Sequence, residues 1–331
     1  MSRVLVTGAS GFIGSHIAQR LHAAGHDVLA MGRDTARLMP LTSAGLRTRS
    51  IDLIDGELAS SLAGVDVVIH SAALSSPWGR REDFLAANVH ATQRLLDAAL
   101  AQGVSRFVHM SSPSIYFRLQ DRYGIGEAFE PPVRWINAYA ETKWLAEERV
   151  RHAVTLGLPC VMLRPRAVFG EGDRAIFPRV LALARRGWFP RVGNGQAMID
   201  VTYVGNVVDA VEAAMQPSAP SQGQAFNITN GEPMAAIDLL RLLFCATKSD
   251  VRLLPLPRSL ALTLGALSET MARALPGQPE PRLSRYGVGV LGFSQTLDIT
   301  AAREQLGYRP RISIEQGVAR FATWWKHHAA P

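Results

Sequence analysis

The chain has 331 residues, of which 47% are hydrophobic and 19% are charged, which excludes a disordered or coiled-coil protein and allows one large α/β domain with a smaller appendage. Only three of its 35 basic residues are lysines, and the arginines behind its net charge of +7 form no long tract, so we expect no nucleic-acid partner. The two cysteines show no metal-binding spacing, and no apolar run reaches the ~18 residues of a membrane span. We therefore expect no metal site, no membrane partner and a cytoplasmic protein.

The start of the chain has a pattern typical of nucleotide binding. An apolar, β-branched run over Arg3–Thr7 predicts a strand, and residues 15–24 predict a helix. The glycine-rich residues 8–14 lie between them, and a dinucleotide-binding fingerprint requires this order of strand, turn and helix. The glycines let the backbone approach a pyrophosphate, and the helix N-terminus supplies free N–H groups. The predicted cofactor contacts of this turn are Thr7, Gly8, Ser10, Gly11, Phe12, Ile13 and Gly14.

The end of the second predicted strand, residues 27–31, bears on the choice of cofactor. A site that prefers NAD usually carries Asp or Glu there, to bind the ribose 2′-hydroxyl. In this chain the residue is Gly32, followed by Arg33, whose guanidinium can bind a 2′-phosphate through two hydrogen bonds. Asp34 places a carboxylate beside the proposed phosphate unless it caps the next helix. The sequence therefore favours NADP(H), with NAD(H) as the alternative.

Two later apolar runs, residues 65–69 and 104–110, predict further strands of a parallel sheet. The small residues Ala72 and Ala73 follow the first of them and leave room for a cofactor. Ser112 follows the second, and a hydroxyl at the carboxyl end of a parallel strand lies where such sheets bind ligands. We therefore expect Ser112 to face a bound substrate.

A tyrosine and a lysine four residues apart carry the clearest chemical signal. Asn137 is a suitable N-cap for a helix on which Tyr139 and Lys143 share one face, about 6 Å apart at Cβ. A nearby ammonium favours the ionised form of a phenol, so we expect Lys143 to lower the pKa of Tyr139. Tyr139 could then exchange a proton with an alcohol or ketone near neutral pH.

The rest of the chain predicts a division into two parts. We expect residues 1–164 to form a dinucleotide-binding domain to which residues 200–228 return, and residues 165–331 to be mostly substrate-binding. Residues 117–135 predict a loop long enough to contact substrate. An apolar helix predicted at residues 259–275 is either a lid over an apolar substrate or part of the core.

Taken in order, these motifs resemble those of the extended short-chain dehydrogenase/reductases, over residues 3 to about 325. Within that family the chain looks most similar to the 3β-hydroxysteroid dehydrogenase-like and dihydroflavonol reductase-like branch. The motifs that carry the family resemblance are Thr7-Gly8-x-x-Gly11-x-x-Gly14, Asp52-Leu53, Asn88-Val89-x-x-Thr92, Ser112 ahead of Tyr116, Tyr139-x-x-x-Lys143, residues 200–209 and Leu306-Gly307-Tyr308-x-Pro310. Those that carry the branch are Ser76-Pro77-Trp78-Gly79, Ser111-Ser112-Pro113-Ser114 and Arg285-Tyr286-Gly287-Val288-Gly289.

The resemblance implies a Rossmann fold, a doubly wound parallel sheet with a smaller substrate domain, and a mechanism. Lys143 would hold the nicotinamide ribose and lower the pKa of Tyr139, the proton donor or acceptor, while Ser112 would orient the carbonyl oxygen. Asn88 would support a proton-relay water. The cofactor would lie across the carboxyl ends of the strands, with its remaining contacts at Asp52, Leu53, Ala72, Ala73 and Pro165.

The substrate that this resemblance favours is a bulky, largely apolar ketone or secondary alcohol, such as a steroid-like, flavonoid-like or β-keto compound. Members of the family often form homodimers through two long helices, predicted here at residues 82–101 and 137–152. One alternative is a nucleotide-sugar epimerase or dehydratase that keeps NAD tightly bound, which the Gly32-Arg33 pair disfavours. The other is a non-catalytic NADP-sensing or nucleic-acid-binding module on the same fold. The intact Tyr139/Lys143 pair disfavours that module.

Overall fold

Strands and helices alternate along the first half of the chain, and the computed structural model describes residues 1–328. The strands are β1 Arg3–Thr7, β2 Asp27–Gly32, β3 Arg47–Ser50, β4 Val67–His70, β5 Arg106–Met110, β6 Arg122–Ile125, β7 Cys160–Pro165, β8 Val168–Phe169, β9 Trp188–Val192, β10 Met198–Ile199, β11 Thr202–Tyr203, β12 Gln222–Ile228, β13 Met234–Ala235, β14 Arg252–Leu256 and β15 Gln295–Leu297. The α-helices are α1 Phe12–Ala23, α2 Thr35–Ser43, α3 Ala59–Leu62, α4 Arg81–Phe84, α5 Ala91–Ala101, α6 Ala138–Thr155, α7 Phe177–Ala184, α8 Val204–Met215, α9 Ala236–Ala246, α10 Arg258–Ala274, α11 Arg285–Gly292, α12 Thr300–Gln305 and α13 Ile314–His328.

Seven of the strands form one parallel sheet, in the order β3-β2-β1-β4-β5-β7-β12. Its central strands are apolar and buried along most of their length, as expected of a sheet covered on both faces. The chain moves outward from β1 to β3 and then returns to place β4 on the other side of β1. Ligands bind such sheets in the crevice at this switch point, outside the carboxyl ends of the strands. The predicted fold class, a doubly wound parallel sheet, is confirmed.

The two faces of the sheet are covered by different helices. One core cluster contains side chains of α1, α2 and α8, among them Ile17, Leu38 and Val207. The cluster on the opposite face contains side chains of α5 and α6, including Leu95 and Val150. Helix α6 therefore lies against the sheet, with its N-terminal end near the carboxyl ends of the strands.

Most of the chain after β7 forms a smaller region around a separate aromatic cluster. Its rings are packed at centroid distances of 4.8 Å between Phe169 and Phe177 and 5.1 Å between Phe177 and Phe321. A four-stranded sheet, β13-β10-β15-β6, and the strand pairs β11-β8 and β14-β9 belong to this part of the fold. Strand β12 and helix α8 are exceptions, because β12 joins the main sheet beside β7 and α8 covers one face of that sheet. The domain division at residue 164 stays a prediction, and residues 329–331 of the second predicted domain lie outside the described residues.

Two predicted elements differ in detail from the structure. The helix predicted at residues 82–101 consists of α4 and α5 joined by a π-helical segment, Leu85–His90, and this segment carries Asn88. The loop predicted at residues 117–135 contains β6, which pairs with β15 through Arg122 and Gln295. That pairing joins residues far apart in the chain, so no local pattern indicates it.

The predicted apolar helix is α10, and its large apolar side chains point outward. Leu260, Leu264, Leu267 and Met271 are 43–68% exposed, whereas the buried positions are Ala261, Gly265, Glu269 and Ala272. Small residues allow α10 to pack closely on α11, since a Cβ at Gly265 would lie 3.1 Å from the backbone of Arg285. These four side chains are therefore not core residues, whereas Leu262 of the same helix is partly buried against the cluster that contains Ala261, and both predicted roles stay open. Within residues 1–328, no helix is long and apolar enough to cross a membrane.

Candidate active site

Helix α6 presents three functional side chains to the carboxyl ends of β5 and β7. Asn137 caps this helix as predicted, since its side-chain oxygen accepts a hydrogen bond from the Ala140 N–H at 2.9 Å. Tyr139, Lys143 and Glu147 follow at intervals of four residues, which places them on one helix face. The cap fixes the start of the helix and thereby the position of Tyr139 in its first turn.

Lys143 lies at the end of β5 with its charge buried. The residue is 3% exposed, and its Nζ donates a hydrogen bond of 2.6 Å to the Met110 carbonyl oxygen. Burial lowers the pKa of Lys143 to about 8, and the Glu147 carboxylate acts in the opposite direction. The ammonium is therefore held at the edge of the sheet where dinucleotides bind.

Tyr139 is half-buried beside Ser112, and burial raises the pKa of its phenol to about 12. The Ser112 hydroxyl lowers this pKa, and the Tyr286 phenol raises it. The balance is opposite to the prediction that Lys143 lowers the pKa of Tyr139, because desolvation is the largest effect and the ammonium is directed at Met110. The Tyr139 phenol is therefore protonated at neutral pH, which is the state of a proton donor.

Ser112 follows β5 and has two roles. Its Oγ accepts a hydrogen bond of 3.2 Å from the Ser114 N–H and so begins the 3-10 turn Pro113–Tyr116. Because the oxygen is the acceptor in that contact, the hydroxyl proton can still be donated to a nearby oxygen. The side chain can thus orient a carbonyl group beside the Tyr139 phenol.

A buried network supports the catalytic face of α6 from behind. Arg164 on β7 donates two hydrogen bonds to the Glu147 carboxylate, from Nε at 2.7 Å and from Nη2 at 2.6 Å, and the Ser111 hydroxyl donates a third at 2.5 Å. Burial raises the pKa of Glu147, but Arg164 and Ser111 outweigh it, so this pKa lies below its ordinary value. Arg164 also donates to the Tyr116 hydroxyl, which donates to Asn227 Oδ1 at 3.0 Å. The network joins β5, α6, β7 and β12.

The predicted glycine turn is packed so closely that side chains are excluded. Gly8 has a φ of +71°, and a Cβ there would lie 2.6 Å from the Ala72 nitrogen; a Cβ at Gly14 would lie 2.3 Å from the Gly8 oxygen. Helix α1 begins just after Gly11, so no side chain caps its first N–H groups. Such free N–H groups at a helix N-terminus form an anion-binding site, and the turn therefore fits a pyrophosphate.

The other predicted residues of the turn are distinguished by their exposure. Thr7 is fully buried, and its Oγ1 lies 2.8 Å from His70 Nδ1 and accepts a hydrogen bond of 3.3 Å from the Ala72 N–H. Burial, followed by the Lys143 charge, lowers the pKa of His70 to about 3, so this histidine is a packed neutral residue. Thr7 therefore supports the turn from within. The half-buried predicted contacts are Ser10, Phe12 and Ile13.

Gly32, the last residue of β2, and Asp34, two residues later, each have a structural role. A Cβ at Gly32 would lie 2.5 Å from Ser10 Oγ, so an acidic side chain at this place would displace Ser10. Asp34 caps α2 by accepting a hydrogen bond of 3.1 Å from the Arg37 N–H, which is the alternative that the sequence left open for it. Neither residue therefore offers a carboxylate to a ribose 2′-hydroxyl from the strand end.

Arg33 is exposed and lies near Asp52 and Leu53, two of the predicted cofactor contacts. Its Nη1 is 3.5 Å from Asp52 Oδ2, at the long end of a salt bridge, and 64% of its side chain is exposed. Asp52 Oδ1 accepts a hydrogen bond from the Ile54 N–H at 2.9 Å, and Leu53 is buried. The Arg33 guanidinium is thus free to contact an anion while the Asp52-Leu53 turn is fixed.

Asn88 holds the segment that follows β4. Its Oδ1 accepts a hydrogen bond from the Leu74 N–H at 2.7 Å, and its Nδ2 donates to the Leu74 carbonyl at 3.2 Å and to Thr142 Oγ1 at 3.1 Å. Both N–H donors of a residue that is 1% exposed are therefore used. These bonds tie the segment that carries Ala72 and Ala73 to α6. They favour a positioning role for Asn88, and its role in a proton relay stays a prediction.

Sequence reasoning missed three residues of this region. Glu147 could have been found from the four-residue interval along α6. Arg166, which is 5% exposed, directly follows the predicted contact Pro165 at the end of β7. Tyr286 on α11 approaches the Tyr139 phenol from a distant part of the chain, and no local pattern indicates this.

Several known proteins are similar to this chain over nearly its whole length. The model of the NAD dependent epimerase/dehydratase family matches residues 4–229. The chain is 35% identical over 337 residues to the Escherichia coli (strain K12) protein YbjS, with 98% of each chain covered. It is 33% identical over 332 residues to a 2-alkyl-3-oxoalkanoate reductase of Shewanella oneidensis, with 97% of this chain and 85% of the relative covered. It is 30% identical over 344 residues to the decarboxylating sterol-4-alpha-carboxylate 3-dehydrogenase of Saccharomyces cerevisiae, with 97% of each covered.

Among solved structures, MoeE5 in complex with UDP-glucose and NAD is similar to the chain with a TM-score of 0.76 and 27% identity, and the match covers 99% of this chain and 100% of that one. The chain belongs to the NAD-dependent epimerase/dehydratase family, within the extended short-chain dehydrogenase/reductases, as its motifs predict. It is an NAD(P)-dependent oxidoreductase that interconverts a ketone and an alcohol, and its relatives support the predicted 3β-hydroxysteroid dehydrogenase-like branch.

Proposed function

We propose that the protein reduces the ketone of a bulky, largely apolar 3-oxo acid to the secondary alcohol, with NADPH as the preferred reductant. The observation that carries the proposal is that the end of β5 and the first turns of α6 bring Ser112, Tyr139 and Lys143 to one edge of the sheet. Preorganised hydrogen-bond donors at such an edge stabilise the negative charge that develops on a carbonyl oxygen during reduction.

A nicotinamide cofactor bound along this edge of the sheet would supply the hydride. The Ser112 hydroxyl donates a hydrogen bond to the substrate carbonyl oxygen and orients it. The Tyr139 phenol, which is protonated because burial raises its pKa to about 12, transfers its proton to that oxygen as the alkoxide forms. The Lys143 ammonium, held at the same edge of the sheet by the Met110 carbonyl oxygen, would bind the ribose hydroxyls of the cofactor. A phenol that carries its proton at rest is in the state that the reduction step requires.

The preference for NADP(H) rests on the turn after β1 and the end of β2. The uncapped N–H groups of α1 and the close packing of Gly8 and Gly14 fit a pyrophosphate. The exposed Arg33 guanidinium makes one long contact, with Asp52, and so has donors left for a 2′-phosphate. The alternative cofactor is NAD(H), since the solved complex of MoeE5 contains NAD.

The substrate class is supported by what the names of two relatives share. One relative is a 2-alkyl-3-oxoalkanoate reductase, and another is a sterol-4-alpha-carboxylate 3-dehydrogenase. In both substrates the oxygen function lies on the carbon next to the one that bears the carboxylate, and both carry hydrocarbon groups. A 3-oxo acid of this type is also one of the β-keto compounds that the sequence favours.

A homodimer through α6 and the helical segment from α4 to α5 accompanies this proposal. Helices α5 and α6 pack side by side on one face of the sheet, so their outer surfaces form one continuous surface. Light scattering of the purified protein tests this assembly. A mass of two chains supports the homodimer, and a mass of one chain at micromolar concentration overturns it.

The direct test is consumption of NADPH and NADH by the wild type and by Tyr139→Phe, with 3-oxo acids, neutral ketones and sugar nucleotides as substrates. Turnover of a 3-oxo acid with NADPH that is lost in the variant supports the proposal. The alternative function is that of a nucleotide-sugar epimerase or dehydratase, which the family model and the similarity to MoeE5 favour. Turnover of a sugar nucleotide by protein that purifies with NAD supports this alternative. Absence of turnover and of bound cofactor supports a non-catalytic module.

A further inference from the structure

A buried guanidinium without a charged partner lies beside the proposed catalytic residues. Arg166 is the first residue after β7 and is 5% exposed. In the part of the chain that the structure describes, its Nε has no hydrogen-bond partner, and its Nη2 donates one hydrogen bond of 3.5 Å to Gln295 Oε1. Charge-assisted hydrogen bonds are about 2.7–2.9 Å long. The Arg166 charge is therefore poorly compensated by the protein.

Arg164, two residues earlier on the same strand, shows how this protein compensates a structural buried arginine. Its side chain is 1% exposed and makes a salt bridge of 2.6 Å with Glu147, together with a hydrogen bond to Tyr116. Within residues 1–328, no side-chain carboxylate forms an ion pair with Arg166. A buried charge without a partner is strongly unfavourable. The difference between the two arginines indicates that a ligand supplies the partner of Arg166.

The polar groups around Arg166 connect it with the catalytic tyrosine. Burial raises the pKa of Tyr286, and the Arg166 charge opposes this effect. The Tyr286 phenol in turn raises the pKa of Tyr139. The Arg166 charge lowers the pKa of Asp200 against the larger effect of burial, but within residues 1–328 the two side chains form no ion pair, and Asp200 Oδ2 accepts a hydrogen bond of 2.7 Å from the Leu297 N–H. Tyr286 is thus electrostatically coupled to both the proton donor and the guanidinium.

The sheet places Arg166 at the same edge as the proposed carbonyl-binding group. Strands β5 and β7 are parallel neighbours in which Met110 is paired with Leu163. Ser112 and Arg166 follow the ends of these two strands, which are about 4.8 Å apart. In a 3-oxo acid the carboxylate carbon is only two bonds from the carbonyl carbon. A group that binds this carboxylate must therefore lie beside the group that binds the carbonyl oxygen.

We propose that Arg166 binds the substrate carboxylate and thereby makes the enzyme selective for 3-oxo acids over neutral ketones. This assignment rests on the proposed function and specifies the residue that recognises the acid. A guanidinium can hold a carboxylate through two parallel hydrogen bonds, which fix its orientation as well as its position. With the carboxylate fixed, the neighbouring carbonyl oxygen is directed toward Ser112 and Tyr139.

The experiment compares three substrates: a 2-alkyl-3-oxoalkanoate, its methyl ester and the dialkyl ketone that lacks the carboxylate. We expect Arg166→Met to lower kcat/KM for the acid about 100-fold, because removal of one partner of a buried charge pair has effects of roughly this size. We expect kcat/KM for the ester and for the ketone to change less than about threefold. Arg166→Lys, which keeps the charge but loses the paired donors, recovers part of the activity on the acid. Arg191→Met is the matched control, because Arg191 on β9 also has an Nε without a partner among the described residues yet lies outside the main sheet.

A binding measurement keeps the test independent of folding differences. A saturated 2-alkylalkanoate is added as an inhibitor while the neutral ketone is the substrate, so every variant is compared in its active form. We expect inhibition of the wild type and of Arg191→Met, and at least tenfold weaker inhibition of Arg166→Met. Equal losses on acid, ester and ketone, or unchanged inhibition, overturn the assignment of Arg166 alone. A wild type that reduces none of the three compounds overturns the proposed function and the assignment with it.

Discussion

The Glu147 carboxylate accepts two hydrogen bonds from the Arg164 guanidinium, at 2.7 and 2.6 Å, one helical turn beyond Lys143. Neither side chain is more than 1% exposed. The same carboxylate raises the pKa of Lys143 against the effect of burial. The pair therefore acts on the proposed active site in two ways, because it holds α6 against β7 and helps the buried Lys143 to keep its proton.

Glu147→Gln should lower the free energy of unfolding by about 3–5 kcal/mol, because it leaves the buried Arg164 charge without its partner. Urea denaturation measures this change. The matched control is Glu148→Gln, since Glu148 is adjacent, half of its side chain is exposed, and it pairs with Arg151 at 2.5 Å. We expect a loss of less than about 1 kcal/mol for this surface pair. Similar losses of unfolding free energy in the two variants would show that the buried Glu147 pair stabilises the protein no more than the surface pair does.

Tyr139→Phe should lower kcat for ketone reduction by about 10²–10⁴-fold, because the proton donor is lost while the ring that fills the site remains. Binding of NADPH, followed by its fluorescence, should change little. Tyr123→Phe is the control, since Tyr123 is 64% exposed and lies on β6 away from the α6 face. Retention of more than a tenth of wild-type turnover in Tyr139→Phe would remove this residue from the chemical step.

The parts of this arrangement that follow from local sequence could be predicted from it. The apolar runs of β1, β4 and β5, the glycine turn and the cap at Asn137 each depend on neighbouring residues, and the structure has them where the sequence predicts them. The pKa of Tyr139 could not be predicted, because it depends on burial by residues such as Tyr286 that are distant in the chain. The roles of Arg164 and Arg166 could not be separated either, since only the fold shows that one of them has a carboxylate partner.

The pH dependence of kcat/KM for reduction should follow the ionisation of the Lys143 side chain. Burial lowers the pKa of Lys143 to about 8, so its ammonium is present below this pH and lost above it. The pKa of Tyr139, about 12, leaves the phenol protonated over the same range. We expect kcat/KM for reduction to fall as the pH rises from 7 to 10, with a midpoint near 8. Lys143→Arg, whose guanidinium keeps its charge, should lose this alkaline decrease. A flat profile for the wild type would contradict the role given to the ammonium.

Arg33→Ala should weaken use of NADPH and leave use of NADH nearly unchanged. Loss of a charge-assisted contact to the 2′-phosphate should raise KM for NADPH roughly tenfold or more. Arg37→Ala is the control, because the Arg37 side chain is similarly exposed but pairs with the Asp34 carboxylate at 3.1 Å. Steady-state kinetics measures the ratio of kcat/KM with NADPH to kcat/KM with NADH for each variant. Equal effects of Arg33→Ala on both cofactors would contradict the preference for NADP(H).

Gly8→Ala should impair both folding stability and cofactor binding. Gly8 and Gly103 have nearly the same φ, +71° and +67°. A Cβ at Gly8 would lie 2.6 Å from the Ala72 nitrogen, whereas a Cβ at Gly103 would meet nothing within 4 Å. Gly103→Ala should therefore show only the cost of a left-handed alanine, about 1–2 kcal/mol. Gly8→Ala adds a clash with backbone that cannot move aside without opening the turn between β1 and α1. We expect a larger loss of thermal stability in Gly8→Ala and a loss of NADPH binding that Gly103→Ala does not share. If the two variants behaved alike, the contact between Gly8 and the segment after β4 would not be what shapes the pyrophosphate site.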